Sequence, residues 1–502
     1  MFGLTQTITA ADLRSHHINH RPYATDMEYV MVARNLYKVI KSLIHDRYVT
    51  PVVAKDLAIR LTLHLEDTVA DAGVWRGFCT GHHRLYGRWL PFLWNNDDIA
   101  LDVITPESCT FIVWMTFTNH DSLRYVSPLM PAISTLGKEM FRYLNGLFDD
   151  MTINEELTDD ISSKLVLDDF YKMRDVLTWL CDPNGCYMSY WDVTMEGMAQ
   201  EYKAAQQHLS QEKHITYQVR SVFPFKEKVG PLAILAQEWY ADMLHGNADS
   251  NIRRYAEVVR RMEFKRFDTY KIEKIKDNVF TLRGVDDKQI QILSAELGIN
   301  PENMKEDTNM LISSFVFYNG KWESTGITAL QHSGKEFKDV IKTHHDSVDN
   351  REREKEIYQR FIDKNKGQRI YYFRNFKEFT NWHDGIFMAE VSGKLFETFP
   401  KEMKQSNQLL VYLPTDGGLE IAVDVCAPLH DKNNPFYGEK EAKDIGISYL
   451  DMDCLRGECL RYMINSGMLR YLSFPGGDPE HSNKTAQENI DFLLRYYKRG
   501  LY

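Results

Sequence analysis

The sequence predicts an α+β protein with a large all-helical N-terminal domain, a small SH3-like β-barrel or bent sheet, and an α+β C-terminal domain. Three observations predict this architecture. Apolar residues recur at three- and four-residue spacing through most of residues 1–265, which is the period of amphipathic helices. From about residue 268 the period becomes two, as in strands. The 502 residues exceed the roughly 250 to 300 at which a single core stops growing, so we expect domains at 1–265, 266–330 and 331–502.

Two helix starts in the first domain carry the same signal. Thr50 precedes Pro51, and Thr105 precedes Pro106. A threonine hydroxyl accepts hydrogen bonds from the free N–H groups of a first turn, and proline suits the first helical position. Further helices are expected at about 26–44, 129–148, 164–181, 192–210, 231–245 and 249–266.

The strand-rich middle segment contains a strong hairpin signal. Asn319-Gly320 stands between two β-branched and aromatic runs, and a type I′ turn needs positive φ at both of its central residues. Further strands are expected at 270–275, 278–282, 290–292 and 311–318. In the C-terminal domain we expect a charged helix at 349–366, a strand at 369–373, a hairpin formed by 409–414 and 419–425, and helices from about 439.

Composition and charge limit the possible partners. The chain has 60 Lys and Arg against 71 Asp and Glu, a net charge of −11, which repels polyanions on average. The longest strongly apolar run, 111–117, is far shorter than the roughly 20 residues that span a bilayer, and the first 17 residues lack the pattern of a signal peptide. The seven cysteines are an odd number and thinly spread. We therefore expect a cytoplasmic protein with reduced thiols and no membrane contact.

The sequence matches none of the common short catalytic or cofactor motifs. GxGxxG, GxSxG and HExxH do not occur. The pairs Cys181/Cys186 and Cys454/Cys459 have four intervening residues and lie in separate predicted domains, so a shared zinc site is disfavoured. We predict no metal site and no cofactor. His82 lies among aromatic residues, and we expect its ring to donate a hydrogen bond to a carbonyl group there.

Three residues of the C-terminal domain are the candidates for catalysis. Glu420 and Asp424 would share one face of a strand, and His430 follows closely. Separated carboxylates and histidines of this kind serve hydrolases and nucleases when burial shifts their pKa values. A nuclease pattern would need lysine two residues after the glutamate, where Ala422 stands, so a polar sheet face is the simpler interpretation.

A basic segment, residues 253–276, is the candidate for nucleic-acid binding. It carries nine basic and four acidic residues, a local charge of +5, with aromatic residues between them. Basic side chains beside aromatic rings are typical of single-strand binders. The candidate contacts are Arg260, Arg261, Lys265 and Arg266. The alternative is a solvated helix face with mixed charges.

Several motifs together resemble one known family. They are Trp75-Arg-Gly-Phe78, Leu85-Tyr-Gly-Arg-Trp-Leu-Pro-Phe92, Phe111-Ile-Val-Trp114, Trp322-Glu-Ser-Thr-Gly326, Gly418-Leu-Glu-Ile-Ala422, Asn433-Asn-Pro-Phe-Tyr437 and the closing segment 489–499. In this order they resemble an uncharacterised bacterial family, found mainly in Bacteroidota, that is defined only as a domain of unknown function. The resemblance implies a cytoplasmic bacterial protein with a helical N-terminal portion and supplies no catalytic residues. The motifs consist of aromatic, proline and glycine residues, which are packing and turn chemistry.

These observations leave three functional hypotheses. The first is a non-enzymatic binding or scaffold protein, with another protein as the favoured partner, because no nucleophile, phosphate loop or close set of metal ligands is recognisable. The second is a hydrolase or nuclease that uses Glu420, Asp424 and His430. The third is a protein that associates with nucleic acid through residues 253–276. On balance the sequence favours a protein that is not an enzyme.

Overall fold

The protein is described from a computed structural model. The described residues are 7–44, 49–92, 99–120, 123–182, 184–189, 191–206, 208–306, 309–331, 337–387, 399–476, 478–499 and 502, without the side chains of 191–196 and 331. The chain forms two compact units, Met1–Phe337 and Lys338–Tyr502. The division into 1–265, 266–330 and 331–502 stays a prediction, because compactness alone does not define which segments fold independently.

The first unit begins with helices, as predicted. Those of eight or more residues are Asp26–Leu43, Pro51–Val69, Val74–Tyr86, Pro106–Thr118, Pro131–Asn145, Glu155–Ser162, Phe170–Cys181, Trp191–Gln206, Glu212–Val222, Ala236–His245 and Ser250–Arg260. Both predicted start signals are confirmed. The Thr50 hydroxyl accepts a hydrogen bond from the N–H of Val53, and the Thr105 hydroxyl accepts one from the N–H of Ser108, so each threonine caps a helix whose first residue is proline.

The helix predicted at 249–266 is wrong at its end. It stops at Arg260, and a strand runs from Glu263 to Lys276. The pairing of this strand with Met310–Tyr318 shifts between Lys265 and Asp268. A β-bulge at that point interrupts the alternation of side chains, so the period-two signal begins several residues after the strand does. The helix predicted at 231–245 likewise begins later, at Ala236.

A curled five-stranded antiparallel sheet follows, and it confirms the predicted bent sheet. The strands lie in the order Gln289–Leu293, Val279–Gly284, Glu263–Lys276, Met310–Tyr318 and Lys321–Gln331. The predicted hairpin turn is present, since φ is +48° at Asn319 and +85° at Gly320, as a type I′ turn requires. The inner face buries a compact set of side chains that includes Tyr270, Phe280 and Phe315.

The sheet packs on the helix Glu212–Val222 within the first unit. Gly326 has φ of +87°, and an added Cβ would lie 2.8 Å from the side-chain carbon Cδ of Gln218. The glycine therefore permits Gln218 Oε1 to accept a hydrogen bond from the N–H of Ile327 at 2.6 Å. The Thr325 hydroxyl also donates to the carbonyl of Ser221 at 2.7 Å. These polar contacts join the strands to the helical part of the unit.

Residues that carry the family resemblance pack in the core, as their chemistry predicts. Trp75 and Phe78 are buried. An added Cβ on Gly77 would lie 2.5 Å from Met243 Cγ and 2.9 Å from the indole of Trp239. Gly77 thus allows two helices, Val74–Tyr86 and Ala236–His245, to approach closely.

The second unit combines a small sheet with helices. Its strands Ile370–Phe373, Leu409–Tyr412 and Glu420–Val423 are antiparallel, with Leu409–Tyr412 central and fully buried. Its helices are Phe337–Lys364, which begins at the unit boundary, Phe376–Phe387, Lys401–Gln405, Glu439–Ile445, Gly457–Asn465, Pro479–Glu488 and Ile490–Lys498. The α+β class is therefore confirmed. Among the described residues, every helix is too short or too polar to span a membrane.

Candidate functional site

An apolar pocket of about 340 Å³ lies in the helical part of the first unit. The helices Pro106–Thr118 and Pro131–Asn145 form two of its walls, and the turn that contains Leu90 and Phe92 forms another. The residues that line it are Leu90, Pro91, Phe92, Pro106, Glu107, Thr110, Phe111, Trp114, Pro128, Leu129, Ser134 and Lys138. Its volume falls in the range of small-molecule sites, roughly 300 to 1,000 Å³.

A glycine sets the distance between the two helices that form the walls. An added Cβ on Gly137 would lie 2.6 Å from the Cα of Thr110. Real Cβ atoms do not approach a backbone carbon so closely, so only glycine allows this crossing. The crossing places Thr110, Ser134 and Lys138 around the same opening.

The aromatic rings of Phe92, Phe111 and Trp114 line the pocket and together form its floor. The ring centroids of Phe92 and Trp114 are 4.9 Å apart in an edge-on arrangement, and those of Phe111 and Trp114 are 5.8 Å apart. Phe92 has φ of +65°, a conformation that is a true outlier for a bulky residue. The helix before Leu90-Pro91-Phe92 ends at Tyr86, because Gly87 adopts φ of +69° as a C-terminal cap.

The polar hydrogens of the floor already have acceptors. The indole N–H of Trp114 donates to the carbonyl of Val126 at 3.1 Å, and the Thr110 hydroxyl donates to the carbonyl of Pro106 at 2.6 Å. The floor therefore presents carbon surface, which favours an apolar guest. Glu107 and Lys138 lie exposed at the rim and contribute one charge of each sign.

A chain of buried hydrogen bonds joins the helices Pro51–Val69 and Pro106–Thr118 to the segment around Tyr187. The Tyr187 hydroxyl donates to Asp67 Oδ2 at 2.9 Å, so it accepts from His64 Nδ1 at 3.2 Å. His64 Nε2 then accepts from the Ser108 hydroxyl at 2.9 Å. In outline this resembles a serine nucleophile with a histidine base and an orienting acid.

The burial of this chain opposes a catalytic role. Ser108 and His64 are both fully buried, and burial lowers the pKa of His64 to about 3 because it disfavours the imidazolium ion. A base that cannot take up a proton near neutral pH, beside a serine that no substrate reaches, does not activate a nucleophile. Asp67 instead accepts hydrogen bonds from the N–H groups of Val74 and Trp75 and caps their helix.

The predicted catalytic residues have separate partners. Glu420 pairs with Arg456 Nε at 2.5 Å, and burial raises the pKa of its carboxyl group. Asp424 accepts a hydrogen bond from the Ser406 hydroxyl at 3.1 Å. The ring of His430 packs edge-on against Tyr437, with 5.0 Å between centroids. The structure gives each residue its own surroundings, and the catalytic role of the three stays a prediction.

The predicted nucleic-acid contacts all have acidic neighbours. Arg260 pairs with the buried Asp242 at 2.7 Å, Arg261 with Glu257 at 3.7 Å, Lys265 with Asp286 at 2.7 Å and Arg266 with Asp268 at 3.0 Å. These pairs neutralise part of the local charge. Nucleic-acid binding through the basic segment stays a prediction.

The remaining motifs have structural surroundings. His82 Nδ1 donates to the carbonyl of Arg88 at 2.5 Å, and its ring contacts Phe78 and Tyr86, which confirms the prediction for this histidine. All seven cysteines are free thiols, and Cys454 alone among them is exposed. Within the described ranges, no three His, Cys, Asp or Glu side chains are grouped so that they could hold a metal ion.

Neither the pocket nor the buried chain of hydrogen bonds was predicted from the sequence. One signal was present: His64, Glu66 and Asp67 interrupt the helix Pro51–Val69, in which apolar residues otherwise fill most positions. Ionisable residues among so many apolar ones are expected to be buried and therefore to need partners. Their side-chain partners lie 44 to 123 residues away along the chain, beyond the reach of any local pattern.

Comparison with known protein families gives a match over most of the chain. Residues 13–281 and 321–499 match the model of a family described as "Protein of unknown function (DUF3843)". No curated protein and no solved structure matches significantly. The matched ranges cover most of the chain, and the first includes the pocket and the buried chain. The chain belongs to DUF3843, a family of unknown function.

Proposed function

We propose that the protein is a non-enzymatic binding protein whose pocket holds a small, largely apolar molecule with an aromatic ring as its buried part. The observation that carries this proposal is a floor of three aromatic rings in a space of about 340 Å³, with its polar hydrogens already bonded. Such a floor offers dispersion and edge-to-face ring contacts to a guest and no unmet hydrogen bond.

The backbone of Phe92 supports the same proposal. A left-handed conformation costs a residue with a Cβ roughly 1 to 2 kcal/mol, and here it belongs to a ring that lines the pocket. Strained residues of this kind cluster at ligand sites, where the surrounding structure holds them in place. Glu107, Ser134 and Lys138 supply polar groups near the opening, so the polar end of the guest faces outwards.

The test is a binding measurement with simple aromatic probes. Indole, p-cresol and benzoate are titrated into the full chain and followed by ligand-observed NMR and by the indole N–H resonance of Trp114. Ser134→Phe places a ring in the opening, and Thr135→Phe places the same ring on an exposed neighbouring position of the helix. We expect Ser134→Phe to weaken binding at least tenfold and Thr135→Phe to leave it unchanged.

Two results would overturn the proposal. One is that no probe binds the native chain at millimolar concentration. The other is that both variants, each with an unchanged circular dichroism spectrum, bind as the native chain does, since binding would then occur elsewhere. Ser134→Met, a smaller obstruction, replaces Ser134→Phe should the latter fail to fold.

We also propose that the protein works in a bacterial cytoplasm and that a protein partner is an alternative occupant. Six of the seven free cysteines are buried, and free thiols suit a reducing compartment. A protein partner would present an aromatic side chain to the same floor. Indole would then compete with that partner for the pocket. The binding of a partner at another site would not change when indole is added.

A further inference from the structure

A second, much smaller cavity lies between the N-terminal segment and the helix Pro51–Val69. Its volume is about 20 Å³, and His17 and Glu66 both line it. A single water molecule needs roughly 10 to 15 Å³ of such space. The cavity is therefore large enough for one water molecule and too small for an organic ligand.

His17 presents an unpartnered nitrogen to this cavity. The residue is 2% exposed. Its Nδ1 lies 3.1 Å from the carbonyl oxygen of Arg21 and 3.6 Å from a carboxylate oxygen of Asp26. Both oxygens accept, so the hydrogen of the neutral ring is on Nδ1 and the lone pair is on Nε2. Among the described residues, Nε2 has no hydrogen-bond partner.

Glu66 offers a second acceptor across the cavity. Its Oε1 accepts a hydrogen bond from the side-chain amide of Asn154 at 2.7 Å. Its Oε2 lies 3.9 Å from His17 Nε2, which is too far for a direct hydrogen bond. Two acceptors that face each other across a buried cavity without a donor between them are unfavourable, because neither has a hydrogen to accept there. One molecule with two hydrogens to donate serves both acceptors.

We propose that this cavity binds one water molecule, which donates one hydrogen to His17 Nε2 and the other to Glu66 Oε2. An oxygen about 2.8 Å from each atom fits between them. The water then links the N-terminal segment to the helix Pro51–Val69 and to Asn154, whose side chain also caps the helix Glu155–Ser162. An ammonium ion could donate to the same two atoms. Crystals grown without ammonium salts distinguish it from water.

The test is a crystal structure of the full chain at 1.5 Å or better, from crystals grown near pH 7.5 without ammonium salts. We expect one electron-density peak within about 3.2 Å of both His17 Nε2 and Glu66 Oε2. An empty cavity with these two atoms in direct contact would overturn the proposal, and so would a peak that appears only when ammonium is added.

Variants and a solution measurement complete the test. His17→Phe should remove the peak, whereas His20→Phe, at a side chain that is 59% exposed, should retain it. In the native chain, ¹⁵N NMR should show the tautomer of His17 with its hydrogen on Nδ1. A hydrogen on Nε2 would contradict the proposal, and this measurement does not depend on the folding of either variant.

Discussion

The Tyr187 hydroxyl donates a hydrogen bond to Asp67 Oδ2 at 2.9 Å, across 120 residues of chain. The same carboxylate accepts from the backbone N–H of Val74 through Oδ1 at 2.9 Å and from that of Trp75 through Oδ2 at 2.8 Å. One backbone donor thus points at each oxygen of a side chain that is 4% exposed. Asp67 joins the helix Pro51–Val69, the next helix and the segment around Tyr187.

Asp67→Asn should therefore destabilise the first unit strongly. In either orientation the new amide group faces a backbone N–H that cannot turn away, so one buried donor loses its acceptor. We expect a loss of about 3 kcal/mol in the free energy of unfolding, measured by chemical denaturation at pH 7. Tyr187→Phe keeps both backbone hydrogen bonds and should lose less. Equal losses in the two variants would show that the backbone donors do not determine the effect.

Gly137→Ala should destabilise the pair of helices beside the pocket. The new Cβ would lie 2.6 Å from the Cα of Thr110, so the helices must separate, and overpacking of this kind typically costs about 1 to 3 kcal/mol. Gly146→Ala is the control at the end of the same helix, because its Cβ would lie 3.5 Å from the nearest atoms and φ there is −70°. A thermal unfolding curve for each variant measures the effect. If Gly137→Ala melts like the native chain, the close crossing does not exist in solution.

The features that sequence analysis predicted correctly depend on neighbouring residues. Thr50 with Pro51 and Asn319 with Gly320 restrict the backbone within a few positions, so the helix start and the type I′ turn follow from local chemistry. The start of the strand at Glu263 was not predicted, because a β-bulge interrupts the alternation of its side chains.

The candidate site could not be predicted in this way. Ser108 and His64 are 44 positions apart, and the pocket exists because Gly137 packs against Thr110. A pattern within one helix can indicate that His64 is buried, but only the packing of distant helices decides what it meets. The predicted candidates Glu420 and Asp424 illustrate the reverse. The shared strand face predicted for them is wrong, because the strand ends at Val423 and Asp424 adopts φ of +59° beyond it, and each has a partner of its own.

The charge pairs of the basic segment lead to a prediction about nucleic acid. Because Arg260, Lys265 and Arg266 each have a carboxylate within 3.0 Å, we expect no measurable binding of a fluorescent 20-nucleotide single strand at 0.15 M salt. Binding that falls steeply as salt rises, and that is lost in Arg261→Ala/Arg266→Ala, would instead support the nucleic-acid hypothesis. These two arginines are chosen because their side chains are 80% and 69% exposed, so their removal leaves the core intact.

Glu66 should make the stability of the first unit depend on pH. Burial raises the pKa of its carboxyl group from 4.5 to about 7, with Asp26 and Asp67 adding to the shift, the Asn154 hydrogen bond opposing it, and His17 facing the same carboxylate. Between pH 4.5 and 7 the Glu66 carboxylate binds a proton more tightly in the folded protein than in the unfolded chain. The contribution of Glu66 to the free energy of unfolding is therefore fully present below about pH 4.5, and it is lost as the pH rises towards 7.

Glu66→Gln isolates this contribution, because glutamine resembles the protonated acid and still accepts the hydrogen bond from Asn154. The free energy of unfolding of the variant, relative to the native chain, should rise by about 3 kcal/mol between pH 4.5 and pH 8. Glu155→Gln, at an exposed position of a neighbouring helix, should show no such rise. Chemical denaturation at four or five pH values measures all three proteins. A difference that stays constant with pH would mean that Glu66 titrates as it does in the unfolded chain, and its surroundings would then have to be open to water.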